Sequence, residues 1–296
     1  MTMRNTIATV LLLSPVLVAQ EPPSPASAAQ PVVHGRFGID FTSGYYFRGI
    51  QQENQGVIAQ PWLDFGYGLY EADDDASLRK LDLTFGLWNS LHDGPTGGAG
   101  GIWYESDFRI GLDAKVGDRM SMGTSYTAFH SPNQAPTFSR GSETVEELGF
   151  SFGYDDRGQL FESLTSGLQP KFLLAIELDG QRDGGNHVGV YAEVGVEPTF
   201  LIGQLGEADL TLHIPVTAGF SLSDYYERPN TGDDDFFGFL DLGAVVMAPL
   251  QFLPARMGPW EADAGLHFLL LGDNNEARNN GDTSEILFTL GLRTRF

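Results

Sequence analysis

The 296-residue chain carries 39 acidic and 17 basic residues, a formal net charge of −22 at pH 7, and contains no cysteine. The absence of cysteine excludes disulfides and thiolate–metal sites, and the negative charge argues against a nucleic-acid interface built on a basic surface. Thirty-seven glycines, 12% aromatic residues and only 19% charged residues suit a protein of many strands joined by tight turns.

The N-terminus has the pattern of a secretory signal peptide. Arg4 precedes an apolar stretch at residues 6–19, and small residues follow at 26–29. A basic start, a short apolar core and a small-residue site are typical of an export signal that is cleaved off. The predicted domains are a signal peptide at 1–29, a short segment at 30–34 and one β-barrel at 35–296.

From Gly35 onward, apolar and polar residues alternate with a period of two, which is the period of a β-strand with one apolar and one polar face. In the first strand, Phe37, Ile39, Phe41, Tyr45 and Phe47 form the predicted outward row. We predict about twelve strands, at residues 35–47, 57–69, 80–88, 104–114, 120–130, 146–154, 168–179, 188–197, 208–220, 237–247, 260–271 and 285–296.

The last strand ends in an aromatic residue, Phe296, on its apolar face. This ending resembles the closing strand of bacterial outer-membrane barrels, which the barrel-assembly machinery reads. The resemblance and the alternation predict an all-β fold, a transmembrane up-and-down antiparallel barrel in the cell outer membrane. Lipids of that membrane and the assembly machinery are its expected partners, no nucleic acid is expected, and the barrel is expected to be a monomer.

Aromatic residues divide into two predicted belts, as at the two interfaces of a membrane barrel. The outer belt would contain Tyr45, Phe47, Tyr104, Phe129 and Phe220, and the inner belt Tyr67, Tyr154, Trp260 and Phe296. The alternative is a secreted soluble β-sandwich, in which the apolar rows would face a shared core. That alternative is disfavoured because a dozen strands of this pattern would place many carboxylates in its interior.

Residues 42–51 contain a Ser-x-Tyr-x-Phe-Arg-Gly motif, in which Ser43, Tyr45, Phe47, Arg48 and Gly49 match. The motif resembles the start of an uncharacterised family of proteobacterial-type outer-membrane barrels. Two positions depart from the family's pattern, because Gly44 replaces an acidic residue and Gln51 replaces a serine. The resemblance implies a barrel and no particular activity. For Arg48, a structural ion pair that fixes the first strand is favoured over contact with a ligand.

The polar faces of the strands predict a lumen with more acids than bases. Such a lining would favour cations over anions in a pore. The alternative is that acids and bases pair into a network that fills a narrow barrel. The lumen and selectivity residues that we single out are Arg48, Glu105, Asp107, Arg109, Glu177, Asp209, His213, Asp241, Asp263, His267 and Arg293.

Two histidines and a carboxylate, His213, His267 and Asp241, are predicted to point inward on neighbouring strands. They could move protons, bind a metal or touch a substrate, but a hydrogen-bonded structural network is favoured. No catalytic residue, metal ligand or cofactor is assigned. A glycine run at 97–101 lacks the lysine and helix of a phosphate-binding loop and is read as an outer loop.

The sequence therefore predicts an outer-membrane barrel that acts as a narrow passive channel for small polar or cationic solutes. A lipid-modifying enzyme in the same fold is the alternative, with His130 and Ser131 near the outer rim as its only candidates. A third possibility is a closed structural or adhesive barrel that acts through its outer loops. The aspartate runs at 73–75 and 233–235 are read as solvated turns rather than cation sites.

Overall fold

The structure is a computed structural model that describes residues 32–72, 76–97, 100–138, 143–159, 164–228 and 231–296. The predicted signal peptide at 1–29 and the aspartate run at 73–75 lie outside the described residues. Within the described part of the chain, no helix is both long enough and apolar enough to cross a membrane.

The described residues form sixteen strands and one short α-helix, with two 3₁₀ turns at Pro95–Gly97 and Ala255–Met257. The elements are β1 (Val33–Thr42), β2 (Tyr45–Phe47), β3 (Ile50–Glu53), β4 (Ile58–Glu71), β5 (Leu78–His92), β6 (Trp103–Val116), β7 (Met120–His130), β8 (Thr144–Tyr154), β9 (Lys171–Asp179), β10 (Val190–Val196), β11 (Thr199–Leu205), β12 (Ala208–His213), β13 (Val216–Ser223), β14 (Phe237–Pro249), β15 (Trp260–Leu271), α1 (Asp273–Arg278) and β16 (Ser284–Arg295).

Twelve of these strands close into an antiparallel ring in the order β1, β4–β10, β13–β16 and back to β1. The closing pair is β16 with β1, whose register runs from Arg36 opposite Arg295 to Thr42 opposite Thr289. A closed ring leaves no unpaired sheet edge at the seam where first and last strands meet. The predicted twelve-strand antiparallel barrel is therefore confirmed.

Proline interrupts two walls of the ring, one directly after the predicted strand end at residue 197 and one inside the strand predicted at 208–220. Pro198 separates β10 from β11, and Pro215 separates β12 from β13. Because proline has no N–H to donate, the ladder breaks at each point. Each wall nevertheless continues past its proline: β11 pairs with β12, and β12 pairs with the lower part of β14. The eighth wall therefore extends to Leu205, beyond the predicted end at residue 197.

We call the end of the ring that holds Val33 of β1 and Arg295 of β16 the terminal end, and the opposite end the loop end. Connections at the terminal end include the tight turn at Gly117 and the long connection 155–170 between β8 and β9, whereas the loop end carries the hairpin β2–β3 and the helix α1. Side chains alternate between the outer surface and the lumen along each strand. Large apolar residues with outward, exposed side chains include Phe41, Leu87, Phe108, Phe150, Leu266 and Leu290.

The hairpin β2–β3 folds into the lumen, so the prediction that Tyr45 and Phe47 face outward was wrong. Both rings are buried. The ring strand β1 ends at Thr42, and the bend at Ser43 and Gly44 breaks the period of two. A phase read from β1 therefore does not extend to the residues beyond this bend.

The predicted outer aromatic belt is wrong at two further positions. Tyr104 and Phe129 are buried inside the ring rather than exposed on its surface. At Tyr104 the cause is a register shift between β5 and β6 beside Ser90, which disturbs the alternation there. Phe220 remains half-exposed and stacks on the exposed ring of Phe236 at 5.0 Å.

The inner belt has the predicted rings at the terminal end. Tyr67 and Phe296 are exposed, while Tyr154 and Trp260 are half-buried. Phe37 packs edge-on against Trp260 at 5.6 Å between ring centroids. The aromatic residues at this end therefore lie on the outside of the ring, unlike those at the loop end.

The turn of the hairpin requires glycine at its second position. Arg48 and Gly49 have φ values of 49° and 80°, the left-handed values that two-residue hairpin turns need. A Cβ on Gly49 would also lie 2.9 Å from Cβ of Phe239 and 2.8 Å from Nδ2 of Asn275. Gly117, at φ 57°, has nothing within 4 Å of the same position.

We expect Gly49→Ala to destabilise the folded protein by about 1–3 kcal/mol, because backbone strain adds to the close contacts. Urea unfolding in detergent or lipid would measure the change. Gly117→Ala is the matched control, since it keeps the backbone strain without the contacts and should cost less. Equal losses in the two variants would mean that the hairpin tip does not pack against β14 and α1.

Candidate functional site

Many of the buried charged and aromatic side chains lie in a region that we call the outer plug. We define the outer plug as the hairpin Tyr45–Glu53 together with the loop segments 131–138, 181–189 and 224–228. These pieces fill the lumen at the loop end. Backbone ladder hydrogen bonds join β2 to β3 as a separate two-stranded sheet, and neither strand pairs with a strand of the ring. The hairpin is therefore held mainly by side chains.

Arg48 at the tip of the hairpin is the main anchor. Its Nη1 and Nη2 donate to the two carboxylate oxygens of Glu147 on β8, at 2.6 and 2.9 Å, and Nη1 also donates to the hydroxyl of Tyr225 at 2.7 Å. The guanidinium lies 4.2 Å from the ring centroid of Tyr191. Such a two-pronged, ring-stacked contact is one that lysine cannot reproduce.

The backbone and the flanks of the hairpin are also fixed. The hydroxyl of Tyr226 donates to the carbonyl of Arg48 at 3.0 Å. The hydroxyl of Tyr46 donates to Oδ1 of Asn279 at 3.1 Å, which ties the hairpin to the segment after α1. Arg48 and Glu147 are each 4% exposed, so the ion pair is shielded from water. The expected structural ion pair of Arg48 agrees with this geometry.

A second arginine, Arg182, enters the plug from the β9–β10 loop. Its Nη2 lies 2.7 Å from Oε1 of Glu105, and its guanidinium lies 3.9 Å from the ring centroid of Phe47. Glu177 holds this loop by accepting hydrogen bonds from the N–H groups of Arg182 and Gly189, at 2.6 and 2.7 Å. The loop and the hairpin therefore share one buried, charged contact region.

Aromatic rings occupy the remaining volume of the plug. Tyr45 lies 5.3 Å from Trp88 and 6.3 Å from Tyr104, and Phe47 lies 5.2 Å from Phe129. These side chains form one buried apolar cluster. The loop-end half of the lumen is thus packed as a protein core is packed.

The terminal-end half of the lumen is different, because acids and bases form ion pairs there and aromatic rings do not fill the space between them. Asp64 accepts from Arg36 at 3.2 Å and lies 3.6 Å from Nη2 of Arg109. Arg293 pairs with Asp263. Acids and bases pair here, so the lining of this half carries charges of both signs rather than only negative charge.

The predicted lumen residues fall into three groups. The loop-end half contains Arg48, Glu105, Asp107, Glu177 and Asp241, all buried at 4% exposure or less. The terminal-end half contains Arg109, His213, Asp263, His267 and Arg293. The prediction for Asp209 was wrong: it is exposed beside the β11–β12 turn and accepts a hydrogen bond from Gln204 at 3.0 Å.

The predicted His213–His267–Asp241 group is two separate pairs. His267 Nδ1 lies 3.0 Å from Oδ2 of Asp241, whereas His213 Nδ1 lies 3.3 Å from Oε1 of Glu197. The break at Pro215 changes how this wall meets β14, and the sequence pattern did not predict the break. Each histidine has its own carboxylate and acts as a local structural partner.

The β9–β10 and β13–β14 loops bring His187, Asp224 and Glu227 together, with possible ligand atoms within 4.8 Å of one another. Glu227 already accepts from the N–H groups of Asn186 and His187, and its Oε1 lies 2.8 Å from His187 Nδ1. Burial raises the pKa of Glu227, but these hydrogen bonds outweigh it and lower the pKa overall. The Glu227 carboxylate thus stabilises the loop through these hydrogen bonds rather than being free to bind a ligand.

Asp183, a buried aspartate in the same loops, has a raised pKa. Burial raises the pKa of Asp183 to about 6, although Arg278 and the N–H groups of Gly185 and Glu227 oppose the change. These contacts join the β9–β10 loop to α1 and to the β13–β14 loop. Hydrogen bonds consequently join two loop segments of the plug to each other and to α1.

The residues considered for enzymatic chemistry bond to different partners. Ser131 donates to the carbonyl of Tyr104 at 2.9 Å, and His130 Nδ1 lies 3.0 Å from Oγ1 of Thr144. In the run at 233–235, Asp234 accepts from the hydroxyl of Ser221 and from the N–H of Tyr226. That aspartate serves to shape a loop.

Sequence reasoning missed Arg182 and Tyr225 as members of the plug. Arg182 lies in a polar, glycine-containing loop, and nothing in its neighbourhood distinguishes it from a solvated cation. Tyr225 and Tyr226 were a usable signal, because two adjacent aromatic rings are unusual in an otherwise acidic outer loop.

Comparisons with known proteins identify no family. No family model matches the chain, and no curated protein matches it. Among solved structures, an outer membrane channel from Pseudomonas putida F1 is 13% identical, covers 93% of this chain and 100% of its own, and has a TM-score of 0.48. The NanC porin is 12% identical with coverages of 88% and 98% and a TM-score of 0.40.

LpxR from Salmonella typhimurium is 10% identical, with coverages of 88% and 99% and a TM-score of 0.42. All three likenesses are distant, and none transfers a function to this chain. The closed ring described above defines the fold on its own.

We expect Arg48→Gln to lower the free energy of unfolding by about 3–5 kcal/mol, because it leaves Glu147 buried without its cation. Denaturant titration would measure the loss. Arg79→Gln is the matched control: Arg79 pairs with Asp118, whose side chain is 80% exposed, and losing that pair should cost less than about 1 kcal/mol. A loss of that small size in Arg48→Gln would contradict the anchoring role.

Proposed function

We propose that the protein is a barrel of the outer membrane. Its outward apolar side chains are exposed around the ring, its polar side chains face the lumen, and closure of the ring satisfies the backbone of the wall where no water is present. Lipid then covers the exposed apolar surface, with the termini in the periplasm and the loop end outside. The export signal predicted at 1–29 fits this destination.

Within that membrane, we propose a narrow passive channel for small polar or cationic solutes. The observation that carries the proposal is the independence of the hairpin β2–β3 from the ring. Its strands bond to each other, so the hairpin can move without breaking any wall of the barrel. Below it lies the half of the lumen whose acids and bases form ion pairs. In this proposal, the packed plug is the closed state of a gated conduit.

The preference for cations is assigned to the loop end rather than to the lumen walls. The chain has a formal net charge of −22, and carboxylates dominate the outer loops and α1. A surface of one sign raises the local concentration of opposite ions. The loop-end acids in question are Asp224, Glu227, Asp233, Asp234, Asp235, Asp273 and Glu276.

Planar-bilayer recording tests the channel. We expect rare, small openings for the unmodified protein, and a higher open probability for Arg48→Gln because its hairpin is released from Glu147. Arg79→Gln should behave as the unmodified protein. Absence of conductance in both the unmodified protein and Arg48→Gln, in any salt, would end the channel proposal.

A closed structural or adhesive barrel is the second candidate, favoured by the near-complete burial of the plug. In that case the hairpin would be a permanent filling, and its release would lower stability without producing conductance. The same recordings therefore separate the two candidates. The pairing of His130 and Ser131 with other groups leaves no geometric support for the lipid-modifying alternative.

If lipid covers the outer surface, a charged side chain placed there should destabilise the barrel more the closer it lies to the middle of the bilayer. Leu290 on β16 is 60% exposed and faces outward. We expect Leu290→Arg to destabilise the barrel by about 2–4 kcal/mol if it lies near the middle of the bilayer. Folding into lipid vesicles would measure the change, with Leu205→Arg at the β11–β12 turn as a matched control beyond the middle of the bilayer. No difference between the two would contradict a lipid-covered ring.

We also propose that Phe296 serves as the recognition residue for barrel assembly. Its ring is exposed at the outer surface, and its backbone pairs with Gly35 in both directions, at 2.9 and 3.0 Å. A terminal aromatic placed on the lipid side remains accessible until the ring closes.

A further inference from the structure

The plug contains an uncompensated acid. Arg48 is matched by Glu147 and Arg182 by Glu105, which leaves Asp107 on β6 without a cation of its own. Asp107 is 4% exposed and Glu105 is fully buried. A buried ionised carboxylate with no partner costs several kcal/mol, so the charge balance is a strong constraint on this site.

The two carboxyl groups are neighbours on β6. Glu105 and Asp107 are two residues apart on this strand, and both side chains are buried in the lumen. Arg182 Nη2 lies 2.7 Å from Oε1 of Glu105 as an ion pair, but among the described residues none of the four carboxylate oxygens has a hydrogen-bond partner. Ionisation of both carboxyl groups is unfavourable here, because their charges repel each other and burial removes them from solvent.

The surroundings favour a proton over a metal ion as the missing positive charge. A calcium ion needs roughly six to eight oxygen ligands, and a bound magnesium ion keeps several water molecules in its coordination shell. Here the neighbours are the Trp88 and Phe129 side chains, which lie opposite Asp107 on the adjacent strands, and the guanidinium of Arg182. A cation 2.7 Å from Glu105 would repel a metal.

We propose that Glu105 and Asp107 hold one proton between them, and that this proton locks the hairpin in the lumen. The protonated carboxyl donates its O–H to the other carboxylate, which leaves the group of Arg48, Arg182, Glu147 and the acid pair electrically neutral. Release of the proton to solvent leaves one buried negative charge beside Tyr45 of the hairpin. Water then enters, and the plug loosens as the pH rises.

Other titratable groups facing this pair are few and have fixed roles. Tyr45 and Tyr104 contribute neutral phenols, and Tyr104 stacks on His92 at 4.3 Å. Glu147 is committed to Arg48, Glu177 to backbone N–H groups, and Glu53 to Thr96 and to the N–H groups of Asn54 and Gln55. Among these carboxyl groups, the acid pair is therefore the element whose oxygens have no hydrogen bond to stabilise a negative charge.

Hydrogen exchange of peptides covering residues 43–53 tests the lock directly. After correction for the intrinsic rate, protection in the unmodified protein should fall about tenfold or more between about pH 6 and about pH 9. Asp107→Asn keeps the Glu105–Arg182 pair and removes the charge, so its protection should stay within about twofold over the same range. Asp241→Asn, at a buried acid that already has His267, is the control and should follow the unmodified protein.

An infrared difference spectrum of the unmodified protein minus Asp107→Asn gives a second measurement, which does not depend on how well the variant's hairpin packs. It should show the C=O band of a protonated carboxyl group at neutral pH. Absence of that band, or pH-independent protection in the unmodified protein, would overturn the lock. Recovery of protection at high pH on adding calcium chloride or sodium chloride would also overturn it, since a metal cation would then occupy the pair.

An effect of the proton lock on channel opening rests on the proposed channel function. The proton lock and the channel can nevertheless be rejected separately. Loosening of the hairpin at high pH with rising bilayer conductance supports both. Loosening without any conductance keeps the proton lock and rejects the channel. Conductance that is insensitive to pH, together with unchanged protection, keeps the channel and rejects the lock.

Discussion

Closure of the ring is the constraint on which the other features of this molecule depend. Once β16 pairs with β1, every wall residue has only two directions available, the outer surface or a lumen of limited width. Apolar rows then need a non-aqueous exterior, and polar rows must find partners within reach across the lumen. The terminal-end half meets this need with ion pairs such as Arg36–Asp64, and the loop-end half meets it by accepting the hairpin β2–β3.

The plug uses arginine in a way that combines packing with charge. Both guanidinium groups lie against aromatic rings, Arg48 against Tyr191 and Arg182 against Phe47, while each also meets a carboxylate. A flat cation suits this environment because its faces stack and its edges donate. Buried ion pairs add little net stability but are costly to break. They therefore define one closed arrangement while leaving the hairpin separable from the wall.

The ring could be predicted from the sequence because alternation is a local property that each wall repeats. The number of strands in the ring, the closing strand, and the separation of an apolar outer face from a polar inner face follow from residue order alone. Prediction failed where the period of two was interrupted, at the bend after Thr42, at the register shift beside Tyr104, and at Pro198 and Pro215. It also failed at Phe129, which lies on an uninterrupted strand opposite the inward Asp107. The contacts of Arg48 with Glu147 and Tyr225 span 99 and 177 residues, and only the three-dimensional closure brings such positions together.

The most direct test of the central claim, that the hairpin is a separable plug in a self-sufficient ring, is to remove it. Thr42 and Ile58 are directly opposite each other at the loop end of β1 and β4, so a short glycine–serine linker can replace the residues between them. We predict that this variant still closes into a folded barrel, which circular dichroism would show. We also predict that it conducts ions steadily in planar bilayers. A folded barrel that remains non-conducting, or a ring that no longer closes without its hairpin, would contradict the claim.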